Sequence, residues 1–116
     1  MKIHLIIDGA RLSATLEDSA PTRAFIAQLP LTLQLEDYAA TEKIATLPQP
    51  LPVAGAPAGI TPAPGDITFY APWGNLAIFH APFRYSKGLL RLGRIDGGLQ
   101  ALRVPGPIEV RIELAE

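Results

Sequence analysis

The 116-residue chain has no cysteine, one methionine, one tryptophan and two histidines. Without thiols there is no disulfide framework, no thiolate metal site and no cysteine nucleophile. An excess of either charge is also missing. Ten Lys and Arg stand against eleven Asp and Glu, a formal net charge of −1. That balance provides no electrostatic footprint for nucleic acid or an anionic membrane. No apolar run approaches bilayer length, and Asp8 arrives too early for a signal-peptide core, so the expected location is the cytoplasm. His4 and His80 lie far apart without HxH or HExxH spacing, so neither a metal nor a cofactor is expected. Ser13 and Ser19 sit in no Gly-x-Ser-x-Gly elbow. The glycine-rich run from Gly93 to Gly98 lacks the Lys-Ser/Thr ending of a phosphate loop.

Apolar residues and chain-reversing residues are abundant. Hydrophobic side chains make up 48% of the chain, with twelve prolines and ten glycines. At this length they supply one core, hence a single domain over residues 1–116. Ile3, Leu5 and Ile7 alternate with polar neighbours, and Leu12, Ala14 and Leu16 do the same after Asp8-Gly9. Two period-2 runs around a glycine turn predict an antiparallel hairpin. Ser19 and Pro21 then provide a helix start, with Phe25 and Leu29 among the apolar positions of a helix of about ten residues that Pro30 ends. Leu31, Leu33 and Leu35 return to strand spacing, ending near Asp37-Tyr38.

Residues 44–65 carry no charge, and six of the twelve prolines fall within residues 48–64. Low charge with this much proline and glycine predicts a coil lying over a wall of the fold rather than a flexible tail. Ile67 and Phe69 then oppose Thr68 and Tyr70. Pro72-Trp73-Gly74-Asn75 is a tight turn, and Leu76 to Phe79 reads as a strand buried on both faces. In the strand from Leu90 the apolar phase shifts at Gly93, the pattern of a β-bulge. One helical turn is expected near Leu99 to Leu102, and Ile108, Val110, Ile112 and Leu114 form a clean final strand. About eight antiparallel strands with one or two short helices predict a closed β-barrel, because closure removes exposed edges. Pairing the first strand with the last would complete it.

Several words of this sequence resemble the cyclophilin-like family, in its short and divergent branch. They are Glu42-Lys43-Ile44, Gly65-Asp66-Ile67, the run from Tyr70 to Phe79, Tyr85-Ser86-Lys87-Gly88-Leu89, and Leu92-Gly93-Arg94-Ile95. The resemblance implies a cyclophilin-like antiparallel barrel of eight strands with helices at its ends. It also implies that Phe79 is a retained pocket wall. Family members that isomerise X–Pro bonds use an arginine to weaken amide resonance against a barrier of about 20 kcal/mol. The corresponding residues 35–51 hold no arginine, and their only cation is Lys43.

The residues singled out for binding are Glu42, Lys43, Tyr70, Trp73, Asn75, Phe79 and Arg94. Glu42 and Lys43 leave a strand on opposite faces, so one would point toward a cleft, with Arg94 as a partner from another strand. Tyr70, Trp73 and Phe79, with Tyr38 or Tyr85, would form an aromatic floor for a small apolar ligand, and Asn75 would meet a ligand carbonyl. Solvated charges and ordinary core packing are the competing explanations of the same residues. The expected role is a barrel that binds a small molecule or an extended peptide in a surface groove. The alternatives are a weak isomerase using Lys43 or Arg94, and self-association through the proline-rich segment. No nucleic-acid or membrane partner is expected, and the chain would be a monomer or a homodimer.

Overall fold

The computed structural model describes residues 1–115. Strand β1 (Lys2–Ile7) turns through Asp8 and Gly9 into β2 (Ala10–Leu16). Both turn residues have positive φ, 50° and 78°, the twist that lets a two-residue loop join right-twisted strands. Leu5 faces Leu12 and Ile3 faces Ala14 across the pair. All four are buried while the alternate positions face outward. The hairpin therefore contributes one apolar face to the interior, as the alternation predicts.

Helix α1 (Ala20–Ile26) starts where Ser19 accepts a hydrogen bond from the Thr22 amide at 3.2 Å. Phe25 is fully buried and joins the main core. The helix is shorter than its sequence pattern suggests and does not run on to Pro30. Its last turn tightens, with the Gln28 and Leu29 amides bonding to the carbonyls three residues earlier. A proline disfavours helical backbone at the residue before it, so the chain leaves the helix early.

Strands β3 (Leu31–Tyr38), β4 (Glu42–Thr46), β6 (Asp66–Tyr70), β7 (Asn75–Phe79), β9 (Leu89–Ile95) and β10 (Ile108–Leu114) join the hairpin in a closed barrel. Its order is β1-β10-β3-β4-β7-β6-β9-β2, and the first strand does pair with the last, Leu5 facing Ile112. The short strands β5 (Gly59–Ile60) and β8 (Ser86–Lys87) form a separate pair outside the barrel. That pair helps to pin the proline-rich segment. Leu47 and Leu51 enter the core, while Gln28 and Gln49 exchange hydrogen bonds at 2.9 and 3.2 Å.

The register irregularity between β6 and β9 falls where Gly93 changes the apolar phase. Ile67 faces Gly93 and Thr68 faces Arg91, so Leu92 is the extra residue of a bulge. A Cβ at Gly93 would lie 2.2 Å from the Thr15 carbonyl oxygen, so β2 and β9 can approach only with glycine there. Strand β7 is buried at every position. Its inward residues Leu76 and Ile78 belong to the main core. Its outward residues Ala77 and Phe79 form a second cluster with Leu89, against which Ile44, Ile60, Tyr70 and Phe83 pack. No helix among the described residues is long and apolar enough to cross a membrane.

Candidate functional site

Strand alternation decides what the outer wall presents. Glu42 and Ile44 on β4 share a face with Asn75, Ala77 and Phe79 on β7 and with Tyr70 on β6, because Glu42 pairs with Phe79 and Tyr70 with Asn75. Tyr38 joins them by pairing with Glu42 across the β3–β4 hairpin. This face forms the floor of a groove of about 320 Å³, and Phe83, Arg84, Tyr85, Ser86, Lys87 and Leu89 complete its lining. Five of the seven residues singled out in the sequence converge here: Glu42, Tyr70, Trp73, Asn75 and Phe79.

Trp73 stands on the turn between β6 and β7 and is 55% exposed. Its ring meets Tyr38 and Tyr70 edge-on, with centroids 5.4 and 5.3 Å away at nearly perpendicular planes, the arrangement that aromatic quadrupoles favour. Both Tyr38 and Tyr85 line the groove. Phe79 and Phe83 pack with centroids 5.9 Å apart.

Two polar groups in this lining are buried without adequate partners. Asn75 is 4% exposed. Its Nδ2 donates to the Leu76 carbonyl at 3.4 Å, and its Oδ1 accepts no hydrogen bond. Glu42 is 6% exposed. The Thr41 hydroxyl donates to it at 3.5 Å, and among the described residues none of the ion pairs includes it. Burial therefore pushes its carboxyl up from 4.5 to about 7, with the Thr41 contact opposing the rise only weakly. A charge removed from water without a counter-charge gains a proton more readily. Perturbed carboxyls in clefts are candidate functional groups for that reason.

The structure places Lys43 and Arg94 elsewhere. Lys43 leaves β4 on the inner side and is completely buried at one end of the barrel. Its Nζ donates to the Val104 and Gly106 carbonyls at 2.7 and 2.6 Å and pairs with Asp37 at 2.7 Å. The Lys43 ammonium and the Gly106 amide hold the Asp37 carboxyl below its ordinary range. Nothing is left over on Lys43 for a ligand. Arg94 does not partner Glu42 but lies at the far end of β6, 3.1 Å from the buried carboxylate of Asp66. Arg91 reaches the same carboxylate at 3.1 Å. The bulge explains this sharing: it lets residues 91 and 94, which regular alternation would send to opposite faces, turn to one side. The two cations on which an isomerase reading relied are thus tied up outside the groove.

Ile44, Phe83, Arg84, Ser86, Lys87 and Leu89 also line the groove, although their residue types carry no binding signal in the sequence. The usable signal was the run from Tyr85 to Leu89 as a whole, since it is one of the words shared with the family. Among the described residues no group of three His, Asp or Glu side chains is placed to hold a metal ion.

Comparison with solved structures finds the same architecture in a hypothetical protein from Archaeoglobus fulgidus, whose solution structure matches with a TM-score of 0.70. That match covers 99% of this chain and 95% of the other at 16% identity, so it speaks for the fold alone. None of the curated proteins matches the chain. The sequence model of the cyclophilin-like family matches residues 5–113, almost the whole barrel. The closed antiparallel barrel agrees with that match, and the chain belongs to the cyclophilin-like family.

Proposed function

We propose that this protein is a binding module that takes a small organic molecule into the groove on the outer β3-β4-β7-β6 wall. The observation that carries this reading is the second apolar cluster, which stands outside the barrel: Phe79 and Leu89 are buried in it, while Ile44, Tyr70 and Phe83 around them stay only partly covered in the groove lining. A fold needs one core, and aromatic side chains left half covered on an outer wall are available to bury a ligand's surface. The groove's volume of about 320 Å³ suits a compact molecule, at the lower end of the roughly 300–1,000 Å³ typical of ligand sites. A few polar groups in a mostly apolar lining give such a site its orientation and selectivity.

The test is a small-fragment screen followed by amide NMR. Hits are expected to shift Tyr70, Asn75, Phe79 and Leu89 together, and Trp73→Ala is expected to weaken them severalfold. Shifts confined to other surfaces would count against the groove.

A further inference from the structure

The groove's chemistry narrows the class of molecule it receives. Resting on the groove reading above, we propose that the ligand is an amphipathic amine: a protonated nitrogen seated at Glu42, with an apolar body lying over Ile44 and Tyr70. Three observations on the geometry lead there. Glu42 is a buried acceptor with only one weak contact, from Thr41 at 3.5 Å. It sits in register between Tyr38 and Phe79, so its immediate neighbours are aromatic rather than cationic. Asn75 provides a second buried acceptor, its Oδ1 without a donor. Both open polar atoms accept, so the complementary ligand donates.

The two acceptors also suggest a length. Asn75 lies four residues along β7 from Phe79, the partner of Glu42, about 13 Å of strand at roughly 3.3 Å per residue. An elongated ligand would place its ammonium at Glu42 and a second N–H or O–H donor toward Asn75. A desolvated carboxylate that meets a cation regains the interaction that burial removed, and this favours charge at that end over a neutral group.

The remaining charged and titratable groups around Glu42 leave room for that cation. Arg84, Tyr85 and Lys87 line the groove but are exposed, so solvent screens the two cations among them. Tyr38 and Tyr70 lie on the same outer face. Lys43 and Asp37 satisfy each other on the inner side, and His80 follows Phe79 on the chain, its imidazole pKa lowered chiefly by burial. In the free protein the Glu42 carboxyl titrates at about 7, so a cationic ligand must compete with a proton there.

Trp73 is the only tryptophan and stands in the groove wall, so its fluorescence reports binding directly. The full chain would be titrated with phenethylamine, 2-phenylethanol and 3-phenylpropionate, which differ in one terminal group, at pH 6 and pH 8. The amine is expected to bind about tenfold tighter than the alcohol at pH 8. That advantage should shrink by about tenfold at pH 6, following the ionised fraction of a group titrating near 7. Glu42→Gln is expected to abolish both the preference and its pH dependence while still admitting the alcohol. If the alcohol or the acid binds as tightly as the amine at pH 8, or if Glu42→Gln retains the preference, the inference falls and the groove stands. If Trp73 responds to none of the three at millimolar concentration, both fall.

Discussion

On β4, two consecutive side chains leave the sheet on opposite sides and meet different surroundings. Lys43 turns inward, where three acceptors use every donor of its ammonium. Glu42 turns outward into a groove between aromatic neighbours, with one weak donor and no ion-pair partner among the described residues. Both are buried. A buried charge whose partners are all supplied by its own chain holds structure together, whereas one left short of partners costs stability and remains open to an outside partner. The inner end of the barrel is therefore read as architecture and the outer wall as a site.

The largest effect that would sharpen this contrast comes from Lys43→Met. It removes the cation from Asp37 and two carbonyls but keeps most of the side-chain volume. A loss of about 3 kcal/mol is expected in urea unfolding, because the three charge-assisted contacts made by a fully buried ammonium are lost. A loss below about 1 kcal/mol would remove Lys43 from the architecture.

Glu42→Gln is expected to act in the opposite direction and to depend on pH. The folded chain holds the Glu42 proton more tightly than the unfolded chain, its carboxyl raised from 4.5 to about 7. Its contribution to stability is therefore fully present below pH 4.5 and is lost as pH rises to about 7. The variant should match the parent near pH 4 and exceed it by about 2 kcal/mol at pH 8. Taking the difference between the two proteins removes the opposing trends of His80 and Asp37, whose lowered values make stability fall as the solution becomes acidic. Equal stability at pH 8 would mean that Glu42 is not starved of partners, and the contrast with Lys43 would break.

Asn75→Ala should produce the smallest change. The side chain makes a single long hydrogen bond and leaves Oδ1 free, so unfolding should move by less than about 1 kcal/mol. A cost as large as that of Lys43→Met would place Asn75 with the architecture instead.

The site was readable in sequence where alternation alone determines facing. Once Glu42 and Lys43 are on a strand, one of them must point out. Likewise the apolar run from Leu76 to Phe79 must be covered on both sides. Trp73 was readable as a turn residue beside Gly74. The destination of Lys43 was not, because two of its three acceptors are backbone carbonyls of Val104 and Gly106, and a carbonyl leaves no trace in residue type. Arg94 was misplaced for a related reason. The phase shift at Gly93 announced a bulge, but not that the bulge would deliver Arg91 and Arg94 to one carboxylate, Asp66.

The order of apolar and polar residues, with glycine and proline at the reversals, determined by itself that this chain is an antiparallel barrel closed by its two end strands. Those features act through neighbours in the chain, where side-chain direction alternates and turns have fixed geometry. Only the tertiary structure decided which acid would be left short of donors and which cation would be saturated. Hydrogen-bond satisfaction depends on groups dozens of residues away, brought within 3 Å by the closing of the barrel.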